Sequence, residues 1–118
     1  MADSVLKTKS YDFALRIVFL SRHLSGETRE YVISKQVLRS GTSIGANVEE
    51  ASQAESRKDF AHKLSIALKE ATETNYWLRL LRDSKTLEAG TADSMIADCE
   101  QLRKILTASI RTVKRGLQ

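Results

Sequence analysis

The stretch that decides the fold runs RSGTSIGANVEEA from Arg39 to Ala51, then SRKDFAHKLSIALKEATETNYWLRLL from Ser56 to Leu81. Ile33, Val37, Ile44, Val48 and Ala51 recur at helical spacing around the first part, with Ser40 or Gly41 filling the gap in the series. They predict a helix from about Arg29 to Ala54. Gly41 and Gly45 sit four apart on one face, and each costs a helix roughly 1 kcal/mol relative to alanine. A neighbouring helix packed closely over that face offsets the cost. The second part opens on Ser56-x-x-Asp59 before Phe60, a capping-box pattern. A helix is predicted from there to about Ser84, with Phe60, Leu64, Ala67, Leu68, Ala71, Leu78 and Leu81 as its stripe. The two segments together read as helices built to approach each other closely.

Working outward, Phe13, Ile17, Leu20 and Leu24 form one stripe of a helix beginning near Leu6 to Ser10 and ending before Gly26. Leu15, Val18 and Phe19 lie off that stripe. The apolar surface is therefore wider than one buried face needs, as in a helix that meets another subunit. Tyr76, Trp77 and Leu80 widen the third helix in the same way. Beyond Gly90, with Thr91 as the expected N-cap, Met95, Cys99, Leu102, Leu106, Ile110 and Val113 mark a fourth helix running to about Lys114. Short links make consecutive helices antiparallel. The predicted fold is all-α, an up-down-up-down four-helix bundle occupying residues 1–118 as a single domain.

The chain has 118 residues, no proline, one cysteine and a net charge of +4. The absent proline permits long uninterrupted helices. A single cysteine allows no internal disulfide and fits a reducing compartment. No apolar run approaches the length of a membrane span, and MADSVLKTKSYD has no apolar signal core, so a cytoplasmic protein without a membrane role is expected.

Gly41-Thr42-Ser43-Ile44-Gly45 matches the G-x-S-x-G pattern of a hydrolase nucleophile. That chemistry needs a strand before the serine and a separate acid and histidine downstream. Here the motif lies in a helical pattern, and the later histidine, His62, follows Asp59 on one helix. Small residues permitting close packing are the better reading. Glu49, Glu50, Glu70 and Glu73 invite a carboxylate-bridged metal site, but no Glu-x-x-His pair accompanies them. Surface ion pairing, or a carboxylate in the seam bonded to Asn47 or Thr74, is the alternative. His23 and His62 read as solvated side chains, and Cys99 as a buried, inert thiol. No catalytic residue, metal or cofactor is expected.

Charge is the remaining signal. Arg103, Lys104, Arg111, Lys114 and Arg115 crowd the last 16 residues, and the first helix is also basic. Positive charge thus gathers on helices one and four, neighbours in a simple bundle. The five residues are candidates for phosphate contacts. Their plainer role is to complement the helix dipole.

The segment from Tyr31 to Leu81 resembles the 23S ribosomal RNA intervening-sequence proteins, through RSGTSIGANVEEA and the pattern DF-x-x-KL-x-IALKEA-x-ET-x-YWL over Asp59–Leu78. The flanking helices match less. The resemblance implies an antiparallel four-helix bundle that assembles into a ring, typically a pentamer, in bacteria. A structurally similar accessory protein of diversity-generating retroelements forms a basic ring that binds nucleic acid and a reverse transcriptase. By that analogy the expectation is a non-enzymatic ring binding RNA or DNA through basic helix surfaces. The alternative is a protein-interaction scaffold with no nucleic-acid role. Ser40, Gly41, Gly45, Asn47, Glu49, Glu70, Glu73, Tyr76 and Trp77 are then packing and assembly determinants.

Overall fold

Four helices run in sequence: α1 Ala2–Gly26, α2 Val32–Ala51, α3 Arg57–Asp83 and α4 Ala89–Gly116. The structure is a computed structural model that describes the backbone of residues 2–116 and the side chains from Val5 onward. Each helix packs against two others: α1 against α2 and α4, and α3 against α2 and α4. The diagonal pairs make no close backbone approach, so the four stand at the corners of a square. The expected antiparallel bundle is observed, an elongated body of 48 × 20 × 20 Å.

The predicted stripes line the core. Phe13, Ile17, Leu20 and Leu24 of α1 are buried, as are Val37, Ile44, Val48 and Ala51 of α2. Leu64, Ala67, Ala71, Leu78 and Leu81 of α3 meet Met95, Cys99, Leu102, Leu106 and Ile110 of α4 in the same cluster. Phe60 and Leu68 sit at its edge, half-buried. The core also holds hydroxyls. Thr74 is fully buried and its Oγ1 donates to Ser40 Oγ at 2.8 Å, joining α3 to α2. Ser21 and Ser34 pair at 3.0 Å between α1 and α2. These bonds satisfy polar atoms that burial would otherwise penalise.

The close approach made by the two glycines is to α1, not to α3. A Cβ on Gly41 would lie 2.7 Å from the Ile17 side chain, and one on Gly45 would lie 3.3 Å from the Ser10 carbonyl oxygen. Neither glycine has a positive φ, so space and not backbone conformation demands them. The α2–α3 contact is carried instead by the Ser40–Thr74 bond and apolar packing.

The boundaries differ from expectation in three helices. First, α1 begins earlier, at Ala2. Second, α2 spans only Val32–Ala51, shorter at both ends: it starts late because Arg29 takes a left-handed backbone, φ 54°, that interrupts the chain after α1, and it stops at Ala51 where turn hydrogen bonds from Gln53 and Ala54 take over. Glu30 then reaches forward and accepts from the Ser34 N–H at 2.9 Å. Third, Glu88 rather than Thr91 caps α4. Its carboxylate accepts from the backbone N–H of Gly90 and of Thr91, both at 2.8 Å, and from the Thr91 hydroxyl at 2.9 Å. Those bonds to Thr91 and Gly90 hold the Glu88 carboxyl below its ordinary range. The Ser56 cap of α3 is as predicted, its hydroxyl accepting from the Asp59 N–H at 3.0 Å.

Candidate nucleic-acid interface

At 3.6 residues per turn, Arg103, Lys104, Arg111, Lys114 and Arg115 fall within an arc of about 120° on α4. Thr107 and Ala108 separate Lys104 from Arg111 on this face, and its members are not equivalent. Arg103 is held against the bundle: its Nη1 donates to Glu100 Oε1 at 2.6 Å, and Asn75 Nδ2 of α3 donates to the same oxygen at 3.1 Å. Lys104, Arg111, Lys114 and Arg115 are exposed. Among the described residues none of these four has a carboxylate within 4.0 Å. Arg111, Lys114 and Arg115 flank a shallow groove floored by Leu68, Thr107 and Ile110 between α3 and α4.

The antiparallel packing of α3 and α4 brings the start of one beside the end of the other. A Cβ on Gly116 would collide with the guanidinium of Arg57. Arg57 and the exposed Lys58 therefore extend the basic end of α4 onto α3. Sequence reading missed this extension. Its signal was the pairing of a basic first turn with a basic last turn in antiparallel neighbours.

The basic residues of α1 contribute less than expected. Lys7 Nζ lies 3.7 Å from Glu49 Oε2 of α2, and Arg16 Nη1 lies 2.6 Å from Asp98 Oδ2 of α4. Lys9 Nζ donates to Gln101 at 3.4 Å. These partners neutralise or occupy three of the helix's cations. Arg22 of α1, Lys35 of α2 and Lys69 of α3 are also exposed without a carboxylate within 4.0 Å, but they stand singly, whereas α4 and the first turn of α3 gather several such cations.

The carboxylates form ion pairs. Arg39 of α2 donates to Glu70 Oε2 at 2.8 Å and to Glu73 on α3, while Trp77 Nε1 donates to Glu73 at 2.9 Å. The Arg39 bond, and secondarily the Trp77 bond, lower the Glu73 pKa; the two carboxylates in turn raise that of Arg39. Lys63 pairs with Glu50 at 3.0 Å. Neither Asn47 nor Thr74 bonds these carboxylates: Asn47 Nδ2 donates to the Ser43 carbonyl, and Thr74 Oγ1 donates to Ser40 and to the Glu70 carbonyl. Among the described residues no three His, Cys, Asp or Glu side chains gather closely enough to hold a metal ion.

Ser43 lies within the continuous helix α2 and donates to the Arg39 carbonyl at 2.6 Å, with no strand before it. The nucleophile geometry is not formed. Cys99 is buried and its Sγ donates to the Ala71 carbonyl at 3.2 Å. Burial pushes its thiol up to about 12, which leaves almost no thiolate at neutral pH. His23 and His62 are exposed. No helix among the described residues is long and apolar enough to cross a membrane.

The family model of the 23S rRNA-intervening sequence proteins matches residues 2–108, which span all four helices. The chain belongs to that family. Its fold is similar to the crystal structure of a protein of unknown function from the S23 ribosomal protein family of Bacteroides thetaiotaomicron. The two are 51% identical with a TM-score of 0.92, over 94% of this chain and 99% of that one. No curated protein matches. The family match ends at residue 108, so Arg103 and Lys104 lie inside it while Arg111, Lys114 and Arg115 lie beyond it.

Proposed function

We propose that this protein is a non-enzymatic, self-associating helical bundle that binds RNA or DNA by its phosphate backbone. Lys104, Arg111, Lys114 and Arg115 provide the contacts, with Arg103 setting one edge. The observation that carries the reading is the exposed, carboxylate-free run of cations along α4, continued by Arg57 and Lys58. Elsewhere on the bundle, Lys7, Arg16, Arg39, Lys63 and Arg82 all have acidic partners. A family description that names ribosomal RNA favours RNA as the ligand.

Such a face reads phosphates and not bases. One protomer offers few contacts. A homo-oligomer, for which the family resemblance suggests a pentamer in the bacterial cytoplasm, repeats them around one axis. A ligand that reaches several copies then gains avidity. Filter binding of a structured RNA tests the reading. Three phosphates neutralised on a duplex predict roughly a 40-fold loss of affinity between 50 and 200 mM salt. No binding at 50 mM salt and tens of micromolar protein would instead favour a protein-interaction scaffold.

A further inference from the structure

The face shared by α3 and α4 carries its charge in two clusters with a waist between them. Arg103 and Lys104 belong to the first. Arg79 of α3 joins them, because its Nε donates to Asn75 Oδ1 at 2.8 Å and Asn75 donates in turn to Glu100, the partner of Arg103. Arg79 is exposed and has no carboxylate within 4.0 Å among the described residues. Arg111, Lys114 and Arg115 form the second cluster, with Arg57 and Lys58 alongside. Lys104 and Lys114 stand about 15 Å apart along the helix. The waist holds small side chains, Thr107 and Ala108. Two shallow hollows meet there, one reaching Arg103 and Lys104 and the other Lys114 and Arg115, and Thr107 lines both.

Thr107 also keeps its hydroxyl uncommitted. Thr72 of α3 and Thr112 of α4 donate back to the Leu68 and Ala108 carbonyls of their own helices, each at 3.0 Å. Thr107 is exposed, and its Oγ1 makes no hydrogen bond among the described residues. These features discriminate between kinds of nucleic acid. Single strands are held by aromatic side chains on which bases stack. No aromatic side chain lines either hollow, and Tyr76, the neighbour of Arg79, has that guanidinium over its ring at 5.9 Å. B-form DNA is read by an element that enters a major groove about 12 Å wide. Here α4 is one corner of a body 20 Å across, packed against α1 and α3. It can lie across a groove but not enter one. An A-form duplex offers a wide, shallow minor groove that an outer face can span, edged by the phosphates of two strands and lined with 2′-hydroxyls.

We propose that the preferred ligand of this face is double-stranded RNA, spanned across its minor groove. Arg79, Arg103 and Lys104 contact the phosphates of one strand, and Arg111, Lys114 and Arg115 those of the other. Thr107, at the waist, hydrogen-bonds a ribose 2′-hydroxyl between them. This rests on the phosphate-binding reading above and names its ligand. The clusters supply affinity without reading bases. The Thr107 hydroxyl distinguishes RNA from DNA, because the 2′-hydroxyl is the group that DNA lacks.

The test is filter binding of the full chain at 50 mM salt to three probes. They are an RNA duplex of about 20 base pairs, long enough to present a complete minor groove, a DNA duplex of the same sequence, and one of the RNA strands alone. The RNA duplex is expected to bind several-fold more tightly than either of the others. Thr107→Val should weaken the RNA duplex about 2- to 10-fold, the worth of one neutral hydrogen bond, and leave the DNA duplex unchanged. Arg79→Gln combined with Lys104→Gln should weaken the RNA duplex more than the single strand, because it removes the contacts to the second strand. All three substitutions alter exposed side chains, and circular dichroism checks that the helices persist. A single strand or a DNA duplex bound as tightly as the RNA duplex would overturn the proposal while leaving phosphate binding standing. So would a Thr107→Val variant that keeps the full preference for RNA. No binding of any probe would overturn both readings.

Discussion

Helix α1 has two seams, and they are built in opposite ways. Against α2 it presents Ser10, Ile17 and Ser21, which meet Gly45, Gly41 and Ser34. The backbones approach closely because side chains are small where they cross. Against α4 it presents Phe13 and Leu20 with the long Lys9 and Arg16, and these two helices share the fewest close approaches of any adjacent pair. Where the α1–α4 seam runs out at one end of the bundle, all four helices line a cavity of about 250 Å³, among them Leu6, Val48, Phe60, Leu64, Ser109 and Val113. Residue size, not apolarity, separates the two. One seam tolerates no added atom, and the other has room.

The largest expected effect comes from breaking the tight seam. Gly41→Leu must displace Ile17, whose atoms already lie 2.7–2.8 Å from where a Cβ would stand. A loss of about 3 kcal/mol or more is expected, at the upper end for an overpacked core. Gly45→Leu, facing the Ser10 backbone, should cost on the order of 1–3 kcal/mol. Thermal or urea unfolding measures both, and a wild-type midpoint for either contradicts the close-packing account.

Next comes the hydroxyl pair on the other side of α2. Thr74→Val leaves Ser40 buried with its partner removed, and about 1–2 kcal/mol should be lost. Adding Ser40→Ala should recover part of that loss, since no orphan hydroxyl then remains. Urea unfolding of the single and double variants reads the difference.

Sharpening the comparison needs an enlargement in the loose seam. Ser109→Leu points a larger side chain at the cavity and should change stability by less than about 1 kcal/mol, in either direction. If Ser109→Leu proves as damaging as Gly41→Leu, the two seams do not differ as described.

The smallest effect is titrable. Arg39, then Trp77, lower the Glu73 pKa, so the stabilising contribution is present above the unfolded carboxylate's pKa and is lost as pH falls through the lower folded value. The site is partly exposed, which limits the contribution to under about 1 kcal/mol. The melting-temperature gap between wild type and Glu73→Gln should be present at neutral pH and vanish in acid. A gap that persists unchanged in acid would show that ionisation of Glu73 plays no part.

Periodicity made most of the fold legible, because buried stripes of apolar residues repeat at 3.6 whatever they pack against. It could not say which neighbour each face meets. The glycines announced a close approach, yet their partner, α1, lies in another part of the chain. Thr74 was read as a partner for a carboxylate and not as a core residue, because a hydroxyl interrupts an apolar stripe and the Ser40 that accounts for it is 34 positions away. The Glu88 cap was hidden because its carboxylate reaches forward to N–H groups two and three residues on. For the basic face, the residues of α4 were legible from charge alone. That Lys7 and Arg16 of α1 would be neutralised was not, since Arg16 finds its acid 82 positions on. The pairing of Arg103 with Glu100, three residues apart on one helix, was open to inspection.

The contrast between paired and unpaired cations permits the most direct test of the functional reading. Two triple variants remove the same charge: Arg111, Lys114 and Arg115 to glutamine on α4, and Lys7, Lys9 and Arg16 to glutamine on α1. Binding of one structured RNA at 50 mM salt is then compared with the wild type. Phosphate contacts made by the α4 face predict that the first variant loses most of its affinity, with a shallower salt dependence, while the second binds within a few-fold of wild type. Equal losses in both variants would show that net charge alone is being read, and undiminished binding by the α4 variant would contradict the assignment of that face.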